Sequence, residues 1–206
     1  MIAAFFIVLI GGIAVLYWII LRNSSQKIHH QYQQFSEKLE LELNAPSPGM
    51  GGFIRPEPSV YGDYQGRELS ISVPGKGLQN TRQIETVLKL ELNDKALAAQ
   101  LTGTGLLGGF RQRDSGRMAR WKSGDEAFDA AVDVRTNRAD LFTHTIGADL
   151  RKPLMDLLKA GKGSIYIGGG VIAYAELGLI ANDMVRERFE SVLILLLSLA
   201  QAIEAS

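Results

Sequence analysis

The chain has 206 residues, room for one ordinary domain and a short appendage but not for two large domains. With 46% hydrophobic and 21% charged residues it is neither disordered nor fibrous, and 22 basic against 22 acidic side chains removes the positive field with which a general nucleic-acid binder collects phosphates. The absence of cysteine excludes a disulfide scaffold, a zinc ribbon, an iron–sulfur centre and a cysteine nucleophile.

From Ile2 to Leu21 there are 20 residues without a charge. At about 1.5 Å per residue this is the length of helix that crosses a hydrocarbon core of roughly 30 Å. A cleaved secretory signal needs a basic leader, a shorter apolar core and a small-x-small cleavage site. The run here starts at residue 2 and closes with Tyr17-Trp18-Ile19-Ile20-Leu21-Arg22, so residues 1–23 read as a retained anchor. Arg22 and Lys27 follow the span while no charged side chain precedes it, which implies a single-pass protein of the cell inner membrane with its C-terminal side in the cytoplasm. Tyr17, Trp18 and Arg22 are the expected interface anchors on that side. Ala4, Gly11 and Ala14 fall near one helical face, where small side chains let a neighbouring helix approach; small residues scattered along a lone span are the competing reading.

Residues 24–43 open with Ser24 and Ser25 as possible caps and then place Ile28, Tyr32, Phe35 and Leu39 at helical spacing, which predicts a helical stalk. Its end, Leu39-Glu-Leu-Glu-Leu43, also alternates like a strand. Residues 44–59 hold Pro46, Pro48, Pro56 and Pro58 with Gly49, Gly51 and Gly52, the composition of a connector. Residues 60–206 form the folded domain. Alternation predicts strands around Leu69, Ile71 and Val73, around Leu88, Leu90 and Leu92, at residues 96–102, and at Phe128, Ala130, Val132 and Val134, the last with Asp129, Asp133 and Arg135 on its other face. Gly75-Lys76-Gly77 lies in the connection between the first two. Residues 138–160 carry a helical pattern in two pieces, with Pro153 suited to the first turn of the second and Gly161 to its end. Strands 164–167 and 171–177 flank Gly168-Gly169-Gly170 as a hairpin, and a last helix starts near Asn182 or Asp183 and runs to about Ala205. The fold class is therefore α+β: an N-terminal transmembrane helix followed by a mostly antiparallel sheet covered by helices.

The leading anchor, the Pro/Gly connector, Gly66-Arg67 opening a strand, Gly124-Asp125-x-x-Phe128-Asp129 opening another and the closing Arg186-Glu-Arg-Phe-Glu helix together resemble bacterial single-pass membrane proteins with a small α+β domain. The resemblance implies a bacterial membrane protein and carries no catalytic residue across.

Candidate chemistry is sparse. Gly103-Thr-Gly105-Leu-Leu-Gly108-Gly109 matches a dinucleotide fingerprint, but no apolar helical stripe follows it and the flanking strands form a meander, so it reads as a loop. Gly161-Lys162-Gly163-Ser164 lacks the first glycine of a P-loop. Asp129 and Asp133, four strand residues apart, stand roughly 13 Å from each other, beyond the carboxylate gap of a glycosidase. His29 and His30 diverge by about 100° on a helix and cannot close on one metal, and His144 lies among threonines with no serine elbow to serve. Neither a metal nor a cofactor is expected. The strongest charged feature is Arg111, Arg113, Arg117, Arg120 and Lys122, interleaved with Phe110, Met118 and Trp121. Beside an anionic leaflet each basic residue is worth about 1 kcal/mol, and the patch would equally suit an acidic partner; arginines paired with nearby carboxylates are the bland alternative.

These features predict a non-catalytic membrane-anchored binding or assembly module, an accessory subunit of a larger bacterial membrane complex. Its expected partners are membrane lipid and a protein within the membrane, and not nucleic acid. The rival readings are a membrane-tethered enzyme or small-ligand receptor with Asp125, Asp129 or His144 lining a pocket between sheet and helices, and a sensor of anionic lipid surfaces using residues 110–122.

Overall fold

The computed structural model describes residues 2–53, 55–75, 84–104, 118–159 and 163–206, with the side chains of residues 2–5 and 7 outside the description. The anchor and the expected stalk are one element: helix α1 runs unbroken over Ile2–Leu39. Its two halves meet different surroundings. None of the most apolar 18-residue window is buried against the protein, so by length and composition α1 is able to cross a membrane and is no core helix there. Farther along, Ile28, Tyr32 and Phe35 are 6%, 0% and 0% exposed and belong to the same core cluster as the sheet. Residues 24–39 are thus not a free stalk: the stripe that predicts a helix also supplies a face of the domain's core. The helix stops where Glu40 takes a left-handed φ of 54°, the Leu41 amide donates to the Ser36 carbonyl at 3.0 Å, and the chain turns into β1 (Glu42–Asn44).

Beyond the Pro/Gly segment come β2 (Ser59–Tyr64), β3 (Arg67–Ser72), β4 (Glu85–Glu91), β5 (Ala99–Gly103) and β6 (Ala119–Trp121). Helix α2 (Glu126–Ala131), β7 (Val132–Thr136), α3 (Ala139–Thr145) and α4 (Ala148–Lys159) follow. The chain closes with β8 (Gly163–Gly168), β9 (Val171–Leu177) and α5 (Asp183–Ala205). The described residues form one sheet of nine strands in the order β1-β2-β3-β4-β9-β8-β5-β7-β6, with every pairing antiparallel. One face carries Leu69, Ile71, Leu88, Leu90, Ile172 and Tyr174, all buried, and α5, α4 and the second half of α1 pack on it. This is the expected antiparallel α+β layer pair.

The expected strand at 128–134 is half right. Asp125 accepts from the amides of Ala127 and Phe128 at 3.0 and 3.2 Å, and this cap starts α2, so the strand begins only at Val132. Phe128 is buried from the helix rather than from the strand, and Asp129 leaves the strand altogether. The break between α3 and α4 falls at Ile146 and Gly147, because Ile146 leaves helical geometry and is fully buried; Pro153 sits inside α4 and does not open it. The short edge strand β6, and β2 with its Gly62, have no counterpart in the predicted elements, while β1 overlaps the strand-like alternation that ends at Leu43. The hairpin is as expected, with Gly169 and Gly170 at φ of 62° and 81°, a left-handed pair suited to a two-residue turn. Asn182 caps α5 by accepting from the Val185 amide at 3.0 Å.

A single ion pair ties the end of α5 to the sheet. Arg67 grips Glu204 with both terminal nitrogens at 2.8 and 2.5 Å, and the Asn93 amide adds a third bond at 2.9 Å. These bonds hold the Glu204 carboxyl down at about 2, against 4.5 for the free side chain. A carboxylate depressed in the folded state stabilises the fold above its unfolded pKa and loses that contribution as pH falls toward the folded value. Glu204→Gln is therefore expected to weaken the protein at about pH 7 but to flatten its loss of stability between about pH 4.5 and about pH 2. Urea midpoints of the two proteins along that interval check it; parallel curves would refute the assignment.

Candidate functional site

The junction between the apolar half of α1 and the domain is built by the Pro/Gly segment. Prolines 46, 48, 56 and 58 fix φ and remove amide donors, so this stretch runs alongside the helix instead of joining the sheet. At its tip, Met50–Gly52 makes one tight turn that returns to α1: the Trp18 indole Nε1 donates to the Gly51 carbonyl at 3.2 Å. The Arg22 guanidinium lies 5.4 Å above the same indole, a cation–π contact, and Arg55 Nε donates to the Gly52 carbonyl at 2.8 Å. Two of the three expected interface anchors, Trp18 and Arg22, thereby meet in one cluster, while Tyr17 stays exposed on the helix. Below the turn an open groove of about 320 Å³ separates α1 from the strap, lined by Ser25, Gln26, His29, Ser47 and Arg55 together with the prolines. The predicted connector is a strap folded back along the helix.

On the anchor itself Gly11 and Ala14 are exposed, and the side chain of Ala4 lies outside the description. The concave stretch of the helix surface sits elsewhere, around Gly12 between Val8, Leu9, Ile13 and Leu16, with about 340 Å³ of space.

The basic loop divides. Arg111, Arg113 and Arg117 fall outside the described residues, as does most of the glycine-rich 103–109 motif. Trp121 is 7% exposed, meets Phe128 and Phe142 edge-on at 6.5 and 6.0 Å, and donates from Nε1 to Thr143 Oγ1 at 3.1 Å. It is a core residue and offers no surface to a partner, which corrects the expectation that placed it in a binding patch. Arg120 Nε lies 2.6 Å from Asp133 Oδ1, and Asp133 also takes Arg135 Nε at 3.1 Å. Lys122 is exposed. All this stands at the β6 edge, whereas α1 packs on β1 and β2 at the other. Eight inter-strand steps of about 4.8 Å set the two edges on the order of 38 Å apart.

The residues proposed to line a pocket do not converge. Asp125 caps α2, His144 is exposed on α3, and Asp129 holds the turn before α2 by accepting from the Ser123 amide and hydroxyl at 2.8 and 2.9 Å and from the Gly124 amide at 3.2 Å. Burial pushes the Asp129 carboxyl up, but these donors and nearby Lys122 outweigh it and leave the group below its usual range. Asp133 sits on β7, so the two carboxylates never shared a strand face. Among the described residues no three His, Asp or Glu side chains gather as metal ligands. A buried network missed in the sequence joins sheet to helix: Glu176, 5% exposed, accepts from the Tyr174 hydroxyl at 2.7 Å and from Arg188 Nε at 3.1 Å. Its only sequence trace is an arginine near the start of a helix that follows a strand bearing Glu176.

No protein-family model matches the chain, and no curated protein resembles it in sequence. Among solved structures it is similar to the mycobacterial trehalose monomycolate transport factor A, TtfA, with a TM-score of 0.59 and 9% identity over 85% of this chain and 94% of that one. At that identity the likeness concerns the fold.

Proposed function

We propose that the chain is a non-catalytic assembly module, a single-pass inner-membrane protein whose domain lies on the cytoplasmic side and serves as an accessory subunit of a larger bacterial membrane complex. The observation that carries this reading is α1 itself: one helix combines an apolar stretch, of whose described window nothing is buried, with a second half that enters the core of the domain without a flexible joint. Such a joint is what a tethered, freely sampling enzyme would use, whereas a subunit gains from a fixed pose. That a transport factor is built on a similar fold supports an accessory role over a catalytic one. Among the described residues Asp125 is engaged as a cap, and Arg120 with Asp133 and Arg67 with Glu204 as ion pairs, which points the same way.

The membrane contact is tested by placing a photo-crosslinking residue at Gly11 or Ala14 and, on the opposite face, at Leu9 or Leu16, in native membranes. Discrete protein adducts are expected from Gly11 and Ala14. Adducts from Leu9 and Leu16 instead would move the contact to the concavity around Gly12; an absence from all four positions would remove the partner within the membrane.

A further inference from the structure

We propose that the turn at residues 50–53 is a second membrane-contacting element, which dips Met50 and Phe53 into the boundary between headgroups and acyl chains beside the point where α1 leaves the bilayer. The inference rests on the reading of residues 2–21 as a membrane span and adds to it.

The depth of the turn follows from its attachment. Trp18 lies three residues before the end of the uncharged run at Leu21, about 4.5 Å along the helix axis. Side chains on a helix lean toward its N-terminus, so the indole nitrogen lies deeper still than its own Cα. The Gly51 carbonyl, bonded to that nitrogen at 3.2 Å, is held at the same level. If α1 spans the bilayer through Leu21, the turn cannot remain in bulk water.

Its composition suits that place. Met50 is 77% exposed and Phe53 49% exposed, large apolar side chains that reach the surface in a strap made mostly of proline, glycine, serine and charged residues. Met50, Gly51 and Gly52 all take positive φ, at 46°, 65° and 93°. A left-handed methionine is uncommon and costs about 1 kcal/mol, so the chain is held in this shape by its surroundings. The carbonyls of Gly51 and Gly52 are both satisfied, by Trp18 and Arg55, as backbone near hydrocarbon must be. Arg22 and Arg55 stand just behind the apolar tip, at the height where lipid phosphates lie. The result is an aromatic and sulfur-containing tip backed by two guanidinium groups, hinged on the indole of the span.

Because the chain has no cysteine, single replacements give unique labelling sites in the intact protein. The full chain carrying an environment-sensitive fluorophore at Met50→Cys, Phe53→Cys, Ile10→Cys or Leu177→Cys is reconstituted in vesicles of equal parts phosphatidylcholine and phosphatidylglycerol. Quenchers are brominated acyl chains and aqueous iodide. Labels at positions 50 and 53 are expected to be quenched by bromines placed near the headgroup end of the chain to within about twofold of the Ile10 label, and the Leu177 label by iodide only. Trp18→Phe keeps an aromatic ring but removes the donor, and is expected to shift the label at position 50 toward iodide. Iodide access at 50 and 53 with lipid quenching at Ile10 would overturn the proposal while sparing the anchor; iodide access at Ile10 as well would overturn the anchor first.

Discussion

Replacing Phe35 with alanine is expected to lower the unfolding free energy of the full chain by about 3–5 kcal/mol, the largest effect of any truncation in α1. Phe35 is fully buried, meets Tyr32 edge-on at 6.4 Å and shares one core with strands of the sheet, so its removal opens a cavity that neither helix nor sheet closes by moving alone. Phe35→Leu recovers most of the loss, and Lys27→Ala, on the exposed side of the same helix, stays within about 0.5 kcal/mol. Urea titration in detergent micelles, followed through the emission of buried Trp121, measures all three. A loss below about 1 kcal/mol for Phe35→Ala would mean that α1 leans on the domain without belonging to it.

The second large effect is expected at Arg188. Its guanidinium is the partner of Glu176, which is 5% exposed, and Arg188→Met strands that carboxylate in the core at a loss of about 3–5 kcal/mol. The Tyr174 hydroxyl alone does not compensate a full charge. Adding Glu176→Gln to Arg188→Met removes the charge and keeps an acceptor for Tyr174, so the double variant is expected to regain more than half of the stability. Additive losses in the double variant would show that Arg188 acts through packing instead. Gly163 narrows the options for repair, since a Cβ there would sit 2.3 Å from the Tyr174 hydroxyl; the ring is backed by Phe189 at 5.6 Å.

Periodicity carried most of the fold. Leu88, Leu90 and Leu92 or Ile28, Tyr32 and Phe35 announce their elements because each must keep one face dry, and the burial that makes the pattern is the burial observed. Where a local bond decides, the pattern misleads. Phe128, Ala130, Val132 and Val134 alternate perfectly, yet a single carboxylate at Asp125 captures two amides and winds the first half into a helix. The strand β6, three residues long, is an edge strand with too few side chains to show a period, and β1, equally short, shows only the alternation that closes at Leu43. Trp121 was grouped with arginines by proximity in sequence, while its burial depends on Phe142, which lies across the fold. The cluster around Trp18 is half legible: Trp18 and Arg22 carry the signature of an interface, but the bond from Trp18 to Gly51 spans 33 positions and leaves no local trace. Met50, Phe53 and Ile54, large apolar side chains in a proline-rich stretch, are the available sign.

The unbroken α1 also makes the protein a lever. A membrane helix that is too long or too short for its bilayer accommodates by tilting, and a span made by the apolar half of α1 would be a shaft cast into the head. With the far strand on the order of 38 Å from the shaft, a lean of about 10° sweeps that edge through roughly 7 Å. With α1 in a bilayer, local bilayer thickness would be converted into the position of the far sheet edge, and a neighbour gripping both the shaft and the head would feel the two as one angle.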